Sequence, residues 1–299
     1  MGETARVYVG ADRSQLLAVK VLEHSIKRHT KMDVEVYPMV DLPIKKPQNP
    51  QNWQRTGFSF SRFCIPKLAD YKGKAIYLDA DMLVCQDIAD LWNISFDDAK
   101  VIIQEEIPPH HRQQKKIGAP KKRIKQCAVM LLNCEKLTWN IDSIINDLDE
   151  GKYNYEQLMY DLCILKEEDI KYGVPFAWNS LEYYDENTCL IHYADMATQP
   201  WVSSRNQYAY LWFNEVKLML ADGSLTIEEL EEEINREYFR PSLLPELKYA
   251  QYIPSSLKFL FHTYLRFLDK KAGYQPHQEV YQLKKMRLQA LEKAKKILN

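Results

Sequence analysis

The chain has 299 residues, 46% of them apolar, with 40 Lys and Arg against 41 Asp and Glu. That length and composition fit a folded globular protein of one large domain, or one domain with an appendage, and exclude a disordered chain. A net charge of −1 lacks the basic excess that nucleic-acid binding calls for, so no nucleic-acid partner is expected.

Arg6–Val9 predicts a short β-branched strand ending at Gly10. Gln15–His29 predicts a helix with Leu17, Val21 and Ile26 on one face, and Val34–Tyr37 a second strand closed by Pro38. Residues 41–57 form a loop rich in Pro, Gln and Asn. A third strand, Ala75–Leu78, precedes a short helix at Ile88–Trp92 and a fourth strand at Val101–Gln104. Residues 108–125 make a long polar loop with six Lys and Arg between Lys115 and Lys125, either a solvated excursion or a functional one. Ala128–Leu132 is another apolar strand, Ile141–Glu150 and Tyr155–Leu165 are helical, and Val174–Phe176 and Cys189–Tyr193 are short strands. Thr226 and Glu229 form a capping box that opens an acidic helix, and Val280–Leu298 has helical spacing. Residues 1–205 therefore alternate strands and helices, while 206–299 are a mostly helical extension. Interleaving of this kind implies a largely parallel sheet, with ligands beyond the carboxyl ends of its strands.

The stretch YLDADMLV, residues 77–84, ends an apolar strand with two aspartates. Side chains two apart in extended chain point the same way, so Asp79 and Asp81 can converge. Converging carboxylates repel unless a cation lies between them or one is protonated. Mg²⁺ or Mn²⁺ suits such a pair and completes its shell with phosphates and water. Turn-forming aspartates without a metal are the alternative. His192 ends another short strand, in CLIHYADMATQPW. It is either a hydrogen-bonded core histidine or a third ligand.

Four stretches in order resemble glycosyltransferase family eight and its relatives: VYVGAD, FSFSRFCIPKLADYKGKAIYLDADMLVCQDIADLW, CAVMLLNCEK and IHYADMATQPW. The resemblance covers most of residues 5–202. It implies a GT-A fold, a Rossmann-like mixed and mostly parallel α/β sheet flanked by helices, with residues 206–299 as a C-terminal extension. It implies a UDP-sugar-dependent hexosyltransferase that uses Mn²⁺ or Mg²⁺ and builds a surface polysaccharide. Asp79, Asp81 and His192 would hold the metal, and Asp12 would read the uracil edge beside Val9 and Gly10. Arg62 would lie near the diphosphate and the reacting sugar, and Ala80 against the ribose. Asp161 matches a residue near the anomeric carbon, and a solvent-facing helix position is its alternative. Gln126 stands where the family has the start of an Asn-Ser-Gly run, and with Trp178 and Asn179 it is a candidate substrate-binding residue. A core Trp is the competing reading of Trp178.

The departures are specific. The family's closing Lys before Pro-Trp, a phosphate contact, is Gln199 here, so Arg205 or a cation of the 115–125 loop is expected to substitute. The family's Asp-Gln pair appears as Asp161-Leu162, which loosens the inference of donor sugar and of retained configuration. A sugar-nucleotide nucleotidyltransferase is the alternative activity, disfavoured by the lack of a glycine-rich basic N-terminal loop. A non-catalytic glycan- or membrane-binding subunit is the alternative class.

Leu257, Phe261, Leu265 and Leu268 form a helical stripe flanked by Lys258, Arg266, Lys270 and Lys271. Internal packing, a homo-oligomer contact and peripheral binding to a membrane all fit such a helix. The opening MGETARVYVGAD has no charged segment followed by an apolar core, and no apolar run approaches the ~20 residues of a bilayer span. Cys64, Cys85, Cys127, Cys134, Cys163 and Cys189 form no C-x-x-C pair and fit reduced thiols. A soluble cytoplasmic protein is expected, able to touch the inner face of a membrane and taking a glycan or glycolipid acceptor.

Overall fold

The computed structural model describes residues 3–104 and 125–298. The basic segment 108–124 lies outside them. The first strand, β1 (Ala5–Gly10), leads into α1 (Leu16–His29) and β2 (Val34–Met39). After the 41–57 loop come α2 (Ile65–Leu68), β3 (Lys74–Asp79), β4 (Met82–Val84), α3 (Ile88–Trp92) and β5 (Val101–Gln104). Then follow β6 (Val129–Asn133), α4 (Ile141–Asp149), α5 (Tyr155–Asp161), β7 (Ile170–Val174), β8 (Ser180–Leu181) and β9 (Leu190–His192).

Six strands form one sheet in the order β2-β1-β3-β6-β5-β7, and only β6 runs against the others. A second sheet has the order β4-β9-β8. Alternation along each strand divides the large sheet between two cores. Tyr8, Tyr77, Met130 and Ile103 face one core, which is closed by Ile65, Ile145 and Leu158. Val7, Ile76, Leu131 and Ile102 face the other, closed by Val19, Leu22 and Ile26 of α1 and by Trp92 of α3.

The chain continues as α6 (Ala209–Asp222), α7 (Ile227–Asn235), α8 (Leu243–Tyr249), α9 (Lys258–Lys271) and α10 (Gln278–Leu298). Leu17, Ala18 and Val21 on the outer face of α1 join Trp201, Trp212, Phe239 and Leu247 in a third core. Buried Glu215 of α6 is met by Arg28 of α1 at 2.7 Å and by His24 at 2.5 Å. The buried Arg240 guanidinium donates to Pro200 O at 3.1 Å and pairs with Glu246. In α9 the expected stripe turns inward, with Leu265 buried and Phe261 and Leu268 half-buried. Leu257 of that stripe is exposed.

Several elements depart from the sequence expectation. Pro38 lies inside β2 and pairs with Val9 rather than closing the strand. An edge strand tolerates proline because its outer N–H needs no partner. The strand expected at Val174–Phe176 lies earlier, at Ile170–Val174, and a 3₁₀ turn occupies Phe176–Asn179. The helix expected to reach Leu165 stops at Asp161, because Leu162 adopts the left-handed region at φ 49°. The short strands β4 and β8 had no signal of their own.

Gly10 ends β1 directly opposite Asp79. A Cβ at this position would lie 2.9 Å from Phe58 and press on the Tyr77 hydroxyl. Gly10→Ala is expected to destabilise the fold by about 1–3 kcal/mol through this overpacking. Urea unfolding measures it, and unchanged stability would show that the strand end is not tightly packed.

Candidate metal and nucleotide site

The carboxyl ends of β1 and β3 lie side by side, and Ala80 N donates to Gly10 O at 3.2 Å. Beyond Asp79 the chain bends through Ala80 and Asp81 and enters β4 in the second sheet. The two aspartates thus converge at a corner between sheets, not on one continuous strand. β4 pairs antiparallel with β9 so that Met82 stands opposite His192, and Tyr193 N donates to Asp81 O at 2.8 Å. That register brings the imidazole to the carboxylates from more than a hundred residues away. One ligand atom from each of Asp79, Asp81 and His192 lies within 4.8 Å of the others.

Each member of the trio is held from behind. Asp79 Oδ1 accepts from the Tyr77 hydroxyl at 2.6 Å and faces Arg62 Nη2 at 3.6 Å. Burial pushes the Tyr77 phenol well above its ordinary range against the opposing pull of Arg62, so it stays a donor. Arg62 is itself buried and donates to Cys127 O at 2.6 Å and to Tyr77 at 3.1 Å. Asp81 Oδ2 accepts from the Gln199 amide at 2.8 Å. Asp81 Oδ1 lies 3.1 Å from His192 Nε2, and His192 Nδ1 meets Asn179 Oδ1 at 2.8 Å. Asn179 in turn donates to Gln104 Oε1, so its amide orientation is fixed from both ends. With Nδ1–H donated to Asn179, Nε2 faces Asp81, to which it donates when protonated, and when neutral it has a lone pair for a cation.

The donor set fits a hard or borderline divalent cation, with two carboxylates, one imidazole and positions left for ligand oxygens. Burial raises the Asp79 pKa, opposed by Arg62, and nearby Asp81 raises it further. Burial alone would depress His192, but Asp81 overcomes this and the net shift is upward. The sequence profile of Glycosyl transferase family 8 matches residues 9–204.

The chain belongs to glycosyl transferase family 8. Protein CDI of Arabidopsis thaliana is 26% identical over 230 residues, covering 71% of this chain and 86% of that protein. The structure of galactosyltransferase LgtC, in complex with donor and acceptor sugar analogs, superposes with a TM-score of 0.51 at 18% identity. That match covers 76% of this chain and 99% of LgtC. The bifunctional glycosyltransferase WbbM gives a TM-score of 0.52 at 13% identity over 72% of this chain, which spans 50% of the WbbM chain. These likenesses show the GT-A fold, and the family match makes the protein a glycosyltransferase.

Within this family 8 protein, Asp79, Asp81 and His192 come together as expected, and Ala80 lies buried between the carboxylates. Gly10 flanks them at the end of β1. Val9 is wholly buried, with its side chain in the core beneath the strand end, so it acts by supporting the loop. Asp12 caps a short 3₁₀ turn, accepting from Ser14 N at 3.0 Å and from the Ser14 hydroxyl at 2.5 Å. Arg62 is buried. Its buried guanidinium sits behind Asp79 and supports that carboxylate. Gln126 is buried in the segment entering β6. Asp161 is exposed at the end of α5, its carbonyl accepts from Lys125 at 2.9 Å, and its side chain is not part of the Asp79–Asp81–His192 group.

Two acceptor-site expectations are corrected. Trp178 packs in the core with Val174 and Leu190, and Asn179 is fully buried behind His192. In this arrangement neither faces a sugar, and Asn179 orients the imidazole instead. Sequence reasoning also missed Tyr77, although it lies two residues before Asp79 on the same strand face. The support from Gln104 and Gln199 had no local signal, because their partners are distant in the chain.

The site predicts a pH signature. Without a divalent cation, the His192–Asp81 contact contributes stability fully below the ordinary imidazole value of 6.5. It fades as pH rises through the higher native value. A cation competes with the proton for Nε2, so metal-dependent stabilisation should grow over the same window. Thermal melts with and without Mn²⁺ from about pH 6 to about pH 8 measure this, and His192→Gln should flatten the trend. A pH-independent metal effect in the wild type would remove His192 from the ligand set.

Proposed function

We propose that the protein transfers a glycosyl group from a UDP-sugar to a glycan or glycolipid acceptor, with retained configuration, in surface polysaccharide synthesis. The observation that carries this reading is the convergence of Asp79, Asp81 and His192 at the carboxyl ends of β1 and β3, inside the segment that matches the family. Residues 1–205 form the catalytic unit in this reading, and 206–299 the helical extension.

Asp79, Asp81 and His192 would hold Mn²⁺ or Mg²⁺. Such an ion, when bound, supplies Lewis-acid stabilisation of charge on the departing diphosphate. The chain's own residues do the positioning. Arg62 and Tyr77 fix one oxygen of Asp79, leaving the other to face the ligand. Gln199 fixes Asp81, and Asn179 fixes the imidazole tautomer. Asp12, at the mouth of the β1 loop, is the base-reading residue in this proposal, and Asp161 and Gln126 remain its candidates around the reacting sugar.

Asp79→Ala and Asp81→Ala should abolish Mn²⁺-dependent UDP binding, a loss of at least about a hundredfold, while the fold survives in both variants. Isothermal calorimetry decides it. Unchanged UDP affinity in both variants would refute the site, and pyrophosphate release on turnover would favour nucleotidyl transfer over glycosyl transfer.

We further propose that α9 binds an anionic membrane surface. Its outer face exposes Phe259 (74%), Leu260, Tyr264 and Phe267 (59%), and nearby Tyr252 is 73% exposed. Lys258, Arg266, Lys270 and Lys271 are exposed on the same helix. Its one acid, Asp269, accepts from Ser242 N and the Ser242 hydroxyl at 2.9 and 2.8 Å. Exposed aromatics with basic neighbours match the charge and polarity of an acidic headgroup layer. No helix among the described residues is long and apolar enough to cross a membrane. Cosedimentation with phosphatidylglycerol-containing vesicles should exceed that with pure phosphatidylcholine, and Phe259→Ser with Phe267→Ser should reduce it about tenfold. Equal binding to both vesicles, or a solution dimer broken by the same changes, would contradict a lipid partner.

A further inference from the structure

The 41–57 loop and the C-terminal helix enclose a second cleft, whose lining includes none of Asp79, Asp81 and His192. α10 lies across the 3₁₀ turn at Pro50–Asn52, where Arg287 Nε donates to Pro50 O at 3.1 Å. Arg55 donates from Nη1 to Trp53 O at 2.7 Å and from Nη2 to Gln51 O at 3.1 Å. Its guanidinium carbon also lies 4.0 Å from the ring centroid of Tyr155, which is buried at the start of α5. Between these elements is a cavity of about 520 Å³ that both arginines line. That size falls within the roughly 300–1,000 Å³ of small-ligand sites.

These two arginines lack the carboxylate partner that others in the protein have. Arg13, Arg28, Arg62 and Arg240 face Glu233, Glu215, Asp79 and Glu246. Among the described residues, Arg55 and Arg287 form no salt bridge, and the Nη groups of Arg287 have no partner. Glu156 and Glu292 also line the cleft, but both are exposed and neither pairs with an arginine there. Backbone carbonyls and an aromatic face hold a guanidinium in place without cancelling its charge. Burial pulls Arg55 below its ordinary range, and the charge of Arg287 adds to this. Like charges kept together in a concave site attract an anion.

The other walls bear on what carries that anion. Leu288 and Leu291 of α10 form an apolar side, and Gln51 and Asn154 bring amides. An apolar wall suits the C–H face of a sugar ring, and amides suit its hydroxyls. The loop that holds Arg55 also reaches the nucleotide side of the protein. A Cβ on Gly57 would lie 3.8 Å from Asp12 Cβ. Tyr155 packs against Phe60 at 5.8 Å, two residues before Arg62.

We propose that this cleft binds an acidic saccharide, its carboxylate or phosphate oxygens on Arg55 and Arg287 and its ring against Leu288 and Leu291. Guanidinium forks match such oxyanions in two-point contacts. The ligand would be an acidic sugar of the glycan acceptor, a role that rests on the glycosyl-transfer reading above.

Saturation-transfer NMR on the full chain, without UDP or metal, compares methyl glucuronide, glucose 6-phosphate and neutral methyl glucoside. An acidic sugar should bind at least about tenfold tighter than the neutral one, and the better of the two tells carboxylate from phosphate. Arg287→Gln should weaken that sugar about tenfold, and Arg287→Lys, which keeps the charge, should lose less. Thermal melts check that α10 stays docked, and Arg55→Gln repeats the test from the opposite wall. Equal binding of all three sugars, no binding of either acidic one, or affinity untouched by both Gln variants would overturn the proposal. So would inorganic phosphate binding as tightly as the better sugar, since a bare anion site needs no saccharide. Mn²⁺-dependent UDP binding is measured separately. Its absence from the wild type would end the nucleotide reading, while the sugar titrations, which use neither UDP nor metal, would still decide the cleft.

Discussion

The site depends on the pairing of two very short strands. β4 and β9 have three residues each, and their register sets His192 opposite Met82, one residue beyond Asp81. A slip by one residue would turn the imidazole to the other face of the small sheet and separate it from the carboxylates. Burial guards against such a slip. Met82 and Val84 enter the sheet core with Leu190, while Leu83 and Ile191 enter the core shared with α1 and the helical extension. The register of the ligand set is therefore held by hydrophobic packing on both faces.

The charges then fall into a pattern. Two carboxylates brought together in a partly dry corner repel, and neither is left to balance the other. Arg62 answers Asp79 from inside the protein, and His192 answers Asp81 across the cleft. The two answers differ in kind. Arginine keeps its charge and stays behind the carboxylate, so it supports Asp79 in every state. Imidazole loses its proton easily and then offers a lone pair at the same nitrogen. Asn179 accepts from Nδ1–H whether or not Nε2 carries a proton, so the ring keeps one orientation in both states.

Much of this was legible in the chain. The strand ending at Asp79, the helix Leu16–His29 and the terminal position of His192 follow from local apolar patterns, which is where periodicity is informative. The pairing of distant carboxylates and imidazole rested on resemblance, and the structure brings them together. The buried supports were not legible. Gln199 reads as a departure from a family motif, yet its amide carries Asp81. Asn179 sits in VPFAWNSLEYY and looks like a surface acceptor contact, yet tertiary packing buries it. β8 has two residues and no pattern. Each miss involves a residue whose partner is set by the fold rather than by its neighbours in sequence.

The helices after residue 205 share a core with the family-matched segment rather than hanging from it. Trp201, at the end of the family segment, packs with Trp212 and Phe239 at ring distances of 5.7 and 6.1 Å. Arg240 N donates to Trp201 O at 2.9 Å, and its buried guanidinium reaches Pro200 O. A buried arginine left without its acceptors is strongly unfavourable, so the Pro200–Trp201 turn and the loop before α8 are held as one unit. The same turn begins directly after Gln199, which fixes Asp81. The α8 region thus has a short covalent and hydrogen-bonded path to the Asp81 carboxylate. Asp269 of α9 joins the same path through Ser242, which links helices outside the sheet to a site built on strand ends.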